Sequence, residues 1–199
     1  MSALLLCLLA QVQGGVVEGT VRVRDARPAE AVVYLTSLDA PAPAPGPAPE
    51  RRLIDQRDLR FTPKVVVVTP GSSVEFLNSD PILHNVFSPD GPGPGFDLGT
   101  YRQDERRERT FDHEGSQVIL CRIHPEMLAY VVVAPSTLRA LTGPEGGFRI
   151  VGVPPGRWRV HVWHPRAAPF TLDVTTTEAG SSLLTLILEP RRRHGRASP

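Results

Sequence analysis

Cys121-Arg122-Ile123-His124-Pro125-Glu126-Met127 is the stretch on which the reading of this chain turns. Residues 117–121 before it and 128–133 after it are short runs of strand-forming residues, so the seven residues read as a connection between two strands. Three donor side chains are spaced along it as Cys-x2-His-x2-Met. A second histidine, His84, stands 37 positions earlier, at the edge of another strand and just after the turn Asn78-Ser79-Asp80-Pro81. A thiolate and two imidazole nitrogens make a strong trigonal donor set, and a thioether adds a weak axial fourth. That combination suits copper cycling between Cu(I) and Cu(II). A short loop can bring three donors to one ion, and the fourth then has to come from a neighbouring strand.

Other chemistries fit less well. Structural zinc sites use more cysteines and no methionine. A dinuclear copper centre needs a second cysteine in the loop. A Cys-His hydrolase needs an oriented pair in a substrate cleft, and nothing marks one here. A purely structural reading would bury Cys121 and Met127 in a core and leave His124 on the surface. Yet the chain has only two methionines, Met1 and Met127, and one of them falls at this spacing.

Outward from the loop, short β-branched and apolar runs recur between turn signals, and no long stretch has helical periodicity. Pro and Gly number 21 and 17 among 199 residues, which argues for many turns and against a helical bundle. Within 51–135 the runs 54–61, 65–68, 74–77, 84–87, 106–111, 117–121 and 128–133 make the pattern of a sandwich. A second unit, 136–190, holds four runs: 148–151, 157–163, 170–174 and 183–188. Four strands leave a poorly covered core. The two strands in 14–38 (16–24 and 31–35) are therefore expected to complete it, so that the second sandwich is split around the first. Residues 39–50, DAPAPAPGPAPE, read as an extended linker, and 191–199 as a disordered basic tail.

Charge narrows the function. The formal net charge is +1, but four of the 22 basic residues belong to the tail, leaving 18 against 21 acidic residues in the body. A nucleic-acid-binding face is not expected. Residues 3–10, ALLLCLLA, are too short to span a bilayer and read as the apolar part of a secretory signal within 1–13, although no basic residue precedes them. Removal of that segment, which contains Cys7, would leave Cys121 as a lone thiol in an oxidising compartment, where it needs an explanation such as a metal. His113 reads as a solvated turn residue, and His161 with Trp163 as strand-packing residues.

The central region resembles the cupredoxins, the blue-copper Greek-key β-sandwich family. The likeness is carried by Phe61-Thr62-Pro63, by Pro70-Gly71-Ser72-Ser73-Val74-Glu75-Phe76, by His84-Asn85-Val86-Phe87-Ser88 and by the Cys121 loop. It implies His84, Cys121 and His124 as equatorial copper ligands, Met127 as the axial one, and Asn85 as the residue bonding the ligand loop in place. The whole chain is similar to the methylamine-utilisation-like plastocyanin group, in which a cupredoxin is joined to a carboxypeptidase-regulatory-like (prealbumin-like) β-sandwich. That second likeness is carried by residues 147–156 with Trp158 and Val160. The expectation is an all-β, exported or periplasmic one-electron carrier with one mononuclear type 1 copper. It would be no enzyme, would have no substrate pocket and at most peripheral membrane contact, and would meet a redox partner protein through His124. A copper-binding or copper-delivery module is the alternative.

Overall fold

The structure, a computed structural model, describes residues 14–24, 30–39, 48–178 and 180–191. The expected signal segment 1–13, the greater part of the Pro/Ala linker and the tail beyond Arg191 lie outside the described residues. The fold is all-β, with no helix among the described residues. In chain order the strands are β1 (Gly15–Val23), β2 (Val32–Ser37), β3 (Arg51–Arg57), β4 (Arg60–Thr62), β5 (Val65–Val68), β6 (Ser72–Asn78), β7 (His84–Ser88) and β8 (Phe96–Tyr101). They continue as β9 (Arg106–Phe111), β10 (Gly115–Leu120), β11 (Leu128–Val133), β12 (Arg139–Leu141), β13 (Gly147–Val153), β14 (Gly156–Trp163), β15 (Phe170–Thr176) and β16 (Ser181–Leu188).

Strands β3 to β11 form one sandwich. Its sheets have the orders β4-β3-β6-β9 and β5-β11-β10-β7-β8. Each sheet mixes one parallel pair, β3 with β6 and β5 with β11, with antiparallel neighbours. Strand β6 shows why it forms: Ser72, Val74, Phe76 and Asn78 point inward and the residues between them do not, the period of two of a half-buried strand. The core between the sheets holds Ile54, Phe76, Val86, Ile119, Val131 and Met127, all closed to solvent.

The second sandwich is assembled from both ends of the chain. Its sheets are β13-β1-β16 and β12-β2-β14-β15. Thus β1 runs antiparallel to β13 and parallel to β16, while β2 lies between β12 and β14. The first two strands complete the late sandwich, as strand count leads one to expect. Its own core includes Val17, Leu35, Val160 and Leu188. A smaller cluster joins the two bodies: Val32 of β2 meets Val65 and Val132 of the first sandwich, and the Tyr130 and Trp163 rings meet edge to face with centroids 5.1 Å apart. This is why β11 reads as an unbroken apolar run. Val131 and Val133 face one core and Val132 faces the joint.

One expected strand is corrected. Residues 54–61 do not form a single strand. The chain reverses at Asp58 and Leu59, both left-handed with φ of 54° and 58°, and β3 and β4 pair as a tight hairpin. The cause lies elsewhere in the sequence: the carboxylate of Asp80 accepts the backbone N–H of Asp58 at 2.7 Å and of Leu59 at 3.0 Å.

Candidate metal centre

Backbone pairing converges on one end of the first sandwich. Leu120 and Leu128 pair as the last rung between β10 and β11, so the seven residues from Cys121 to Met127 form the loop that links them. Leu120 also pairs with Phe87 of β7, which lays β7 beside the loop. Within the loop, the Met127 N–H donates to the His124 carbonyl at 3.0 Å and closes a turn.

Three of the four expected side chains come together. His84 Nδ1 and His124 Nδ1 lie 3.0 Å apart, and Cys121 Sγ lies 3.8 Å from His124 Nδ1. One donor atom from each of the three falls within 4.8 Å of the others, so the cluster could hold a metal ion. Those separations suit one ion bound at about 2.0–2.3 Å, the range of imidazole and thiolate metal bonds. Cys121 and His84 are buried, and His124 is half-buried. Met127 is buried in the apolar cluster that also contains Cys121 and Val86.

Asn85 ties the loop to the sheet. Its backbone N–H donates to Cys121 Sγ at 3.4 Å. Its side-chain oxygen accepts the Arg122 N–H at 3.3 Å, and its Nδ2 donates to Asp97 Oδ1 at 2.7 Å and to the Gly99 carbonyl at 3.0 Å. Arg122 completes the ring, donating to Asp97 at 2.8 Å while its guanidinium lies 4.1 Å from the centroid of the Phe87 ring. The Arg122 bond, followed by the Gly99 N–H and the Asn85 amide, outweighs burial and holds the Asp97 carboxyl below the usual range.

Three contributors were not anticipated from sequence. Asp97 and Arg122 form the clamp just described. Asp80 places Oδ2 2.8 Å from His84 Nε2. Burial works against the charge of Asp80, but the N–H groups of Leu59 and Asp58 and the His84 imidazole together keep its carboxyl below the ordinary value. The signal for Asp80 was present in the turn Asn78-Ser79-Asp80-Pro81, four residues ahead of His84.

The residues beside His84 and His124 along the chain expose apolar side chains, with the charged Arg122 and Glu126 also exposed in the loop. Ile82, Leu83 and Ile123 are 43%, 48% and 46% exposed, and Pro81 and Pro125 are exposed beside them. Ile123 was not expected in this rim. Leu128 was, but it is half-buried at the start of β11. Two other described histidines belong to the second sandwich: His161 stacks on Tyr34 with ring centroids 4.6 Å apart, and His164 is buried. No helix among the described residues is long and apolar enough to cross a membrane.

No family model matches the chain, and no curated protein matches it. Among solved structures the chain is similar to a purple cupredoxin from Nitrosopumilus maritimus, 23% identical over 42% of this chain and 99% of that one, with a TM-score of 0.38. A reduced amicyanin variant is 23% identical, covers 51% of this chain and 98% of its own, and has a TM-score of 0.41. A copper-containing nitrite reductase from Thermus scotoductus SA-01 is 25% identical over 58% of this chain but only 28% of its own length, with a TM-score of 0.40. These likenesses are low in identity and partial in coverage, and the chemistry of the site rests on its own side chains.

Proposed function

We propose that the chain is an exported type 1 copper protein that carries single electrons, with His84, Cys121 and His124 as equatorial ligands and Met127 as the axial one. The donor types support this reading. A thiolate and two imidazoles with a buried thioether suit both Cu(I) and Cu(II). The bound metal would supply the one-electron couple. The protein's part is to hold the donors still: β7 fixes His84, the β10–β11 connection fixes the other three, and Asn85 with Asp97 and Arg122 pins the loop to the sheet.

The observation that carries the carrier role is the contrast in exposure among the donors. His84, Cys121 and Met127 are buried, and only His124 reaches toward solvent, inside the apolar rim of Pro81, Ile82, Leu83, Ile123 and Pro125. A protein partner can dock briefly on such a patch and exchange an electron through the His124 ring. Glu126, exposed at the edge, places one negative charge there and would favour a partner with a basic rim. Enclosure of the other donors also disfavours the alternative, a module that hands copper on. The test is electron exchange with a small redox protein, run beside transfer of Cu(I) to a metal-free acceptor. Fast exchange with retained copper supports the carrier, and rapid copper transfer without electron exchange replaces it with delivery.

A further inference from the structure

We infer that Asp80 is the positioning residue of the metal centre: its carboxylate holds His84 as the Nε2–H tautomer, aims Nδ1 at the metal and lowers the reduction potential of bound copper. The statement about potential rests on the copper reading proposed above. The statement about the tautomer does not.

The geometry is closed on every side. His84 Nε2 lies 2.8 Å from Asp80 Oδ2, with both side chains withdrawn from water. A neutral imidazole has one donor and one acceptor nitrogen, so a carboxylate facing Nε2 sets the proton there and leaves the lone pair on Nδ1. Nδ1 is the atom that faces His124 Nδ1 at 3.0 Å. Two acceptors cannot face each other at that distance, so without metal His124 carries its proton on Nδ1. To offer Nδ1 to an ion, His124 would move its proton to Nε2, while His84 would need no change.

The carboxylate is itself fixed. Besides accepting the Asp58 and Leu59 N–H groups, Asp80 donates its own backbone N–H to Asn78 Oδ1 at 2.9 Å. The Asn78 amide in turn donates to the carbonyls of Ile82 and Tyr101 at 2.8 and 3.2 Å. Leu59 sits at φ 58°, a costly conformation for a leucine, and that conformation turns its N–H onto this carboxylate. A backbone carbonyl could orient His84 equally well. A carboxylate adds a full negative charge behind the ligand, which strengthens the imidazole as a donor and favours the more highly charged Cu(II).

The experiment has two parts. In the metal-free full-length protein, 15N NMR of the imidazoles should show His84 protonated at Nε2 with slow exchange, and Asp80→Leu should lose that protection. A His84 proton on Nδ1 in the unaltered protein overturns the positioning role and needs no variant to fold. In the copper-loaded protein, Asp80→Asn keeps an oxygen acceptor but not the charge. It should retain one copper per chain and the charge-transfer band, with a reduction potential above that of the parent. An unchanged potential overturns the tuning role. If the parent binds no copper while His84 is Nε2-protonated, the copper reading fails and the positioning role stands, so the two failures are read separately.

Discussion

The backbone N–H of Asn85 points at the sulfur of Cys121 from 3.4 Å, across 36 residues of sequence. That contact joins β7, which carries His84, to the loop that carries Cys121, His124 and Met127. It exists because Leu120 and Phe87 are paired rungs of neighbouring strands, so the sheet itself brings Cys121 to His84. Backbone pairing thus sets where these side chains stand.

Met127 offers the cleanest separation of ligand from filler. Met127→Leu conserves volume in the core, so stability should change by less than about 1.5 kcal/mol. Copper should remain bound and the reduction potential should rise, because a donor that stabilises Cu(II) is gone. Voltammetry of the two proteins checks this, and equal potentials would remove Met127 from the ligand set.

The Asp97 clamp should govern how firmly the loop holds its ion. Asp97→Ala removes the acceptor shared by Asn85 and Arg122. Copper should then pass to a competing chelator about 10-fold more readily, the lower end of the effect of losing a group that supports a metal ligand. Release followed by stopped-flow absorbance measures it. An unaltered release rate would mean that backbone pairing alone fixes the loop.

The apolar rim should control electron exchange without touching the metal. Leu83→Glu or Ile123→Glu should leave the visible spectrum intact and slow exchange with a protein partner about tenfold, a loss of about 1.4 kcal/mol at the contact. Leu172→Glu, the same change on the exposed face of the second sandwich, should have no effect. Equal slowing by all three variants would place docking elsewhere.

His164 makes the second sandwich sensitive to acid. It is 1% exposed, its Nδ1 accepts the Arg166 N–H, and its Nε2 has no hydrogen-bond partner among the described residues. Burial first, then Arg166 and Arg191, pull its pKa from 6.5 down to about 4. The unfolded chain therefore binds a proton that the folded chain refuses. The stability is whole above about pH 6.5 and is lost as the pH falls toward 4, by up to about 3 kcal/mol. In His164→Asn, an amide oxygen can still accept the Arg166 N–H and nothing titrates. Its denaturation midpoint should fall less over that range than the parent's, and parallel profiles would show that His164 is not the sensor.

What could be read from the sequence was what lies close together along it. Cys121, His124 and Met127 share one loop, and a turn just before a strand marked His84. The split of the second sandwich followed from counting strands. Interactions that depend on a partner far along the chain were not legible. Leu59 carries no turn signal, and the hairpin it shares with Asp58 is held by Asp80, 21 residues beyond Leu59. Strand β8 (FDLGTY) lacks a clean alternation and was missed, and with it went Asp97, the residue that locks Asn85 to Arg122. The three-residue β12 was too short to stand out.

The central claim is that Cys121 binds Cu(II) as a thiolate in a site fixed by the fold, and the visible absorption spectrum of the full-length protein loaded with one equivalent of Cu(II) tests it most directly. An intense sulfur-to-copper charge-transfer band should appear in the parent and vanish in Cys121→Ser, since a hydroxyl is a harder and poorer donor to copper. A parent that shows only the weak absorption of ordinary Cu(II), or a Cys121→Ser protein that keeps the intense band, would contradict the account.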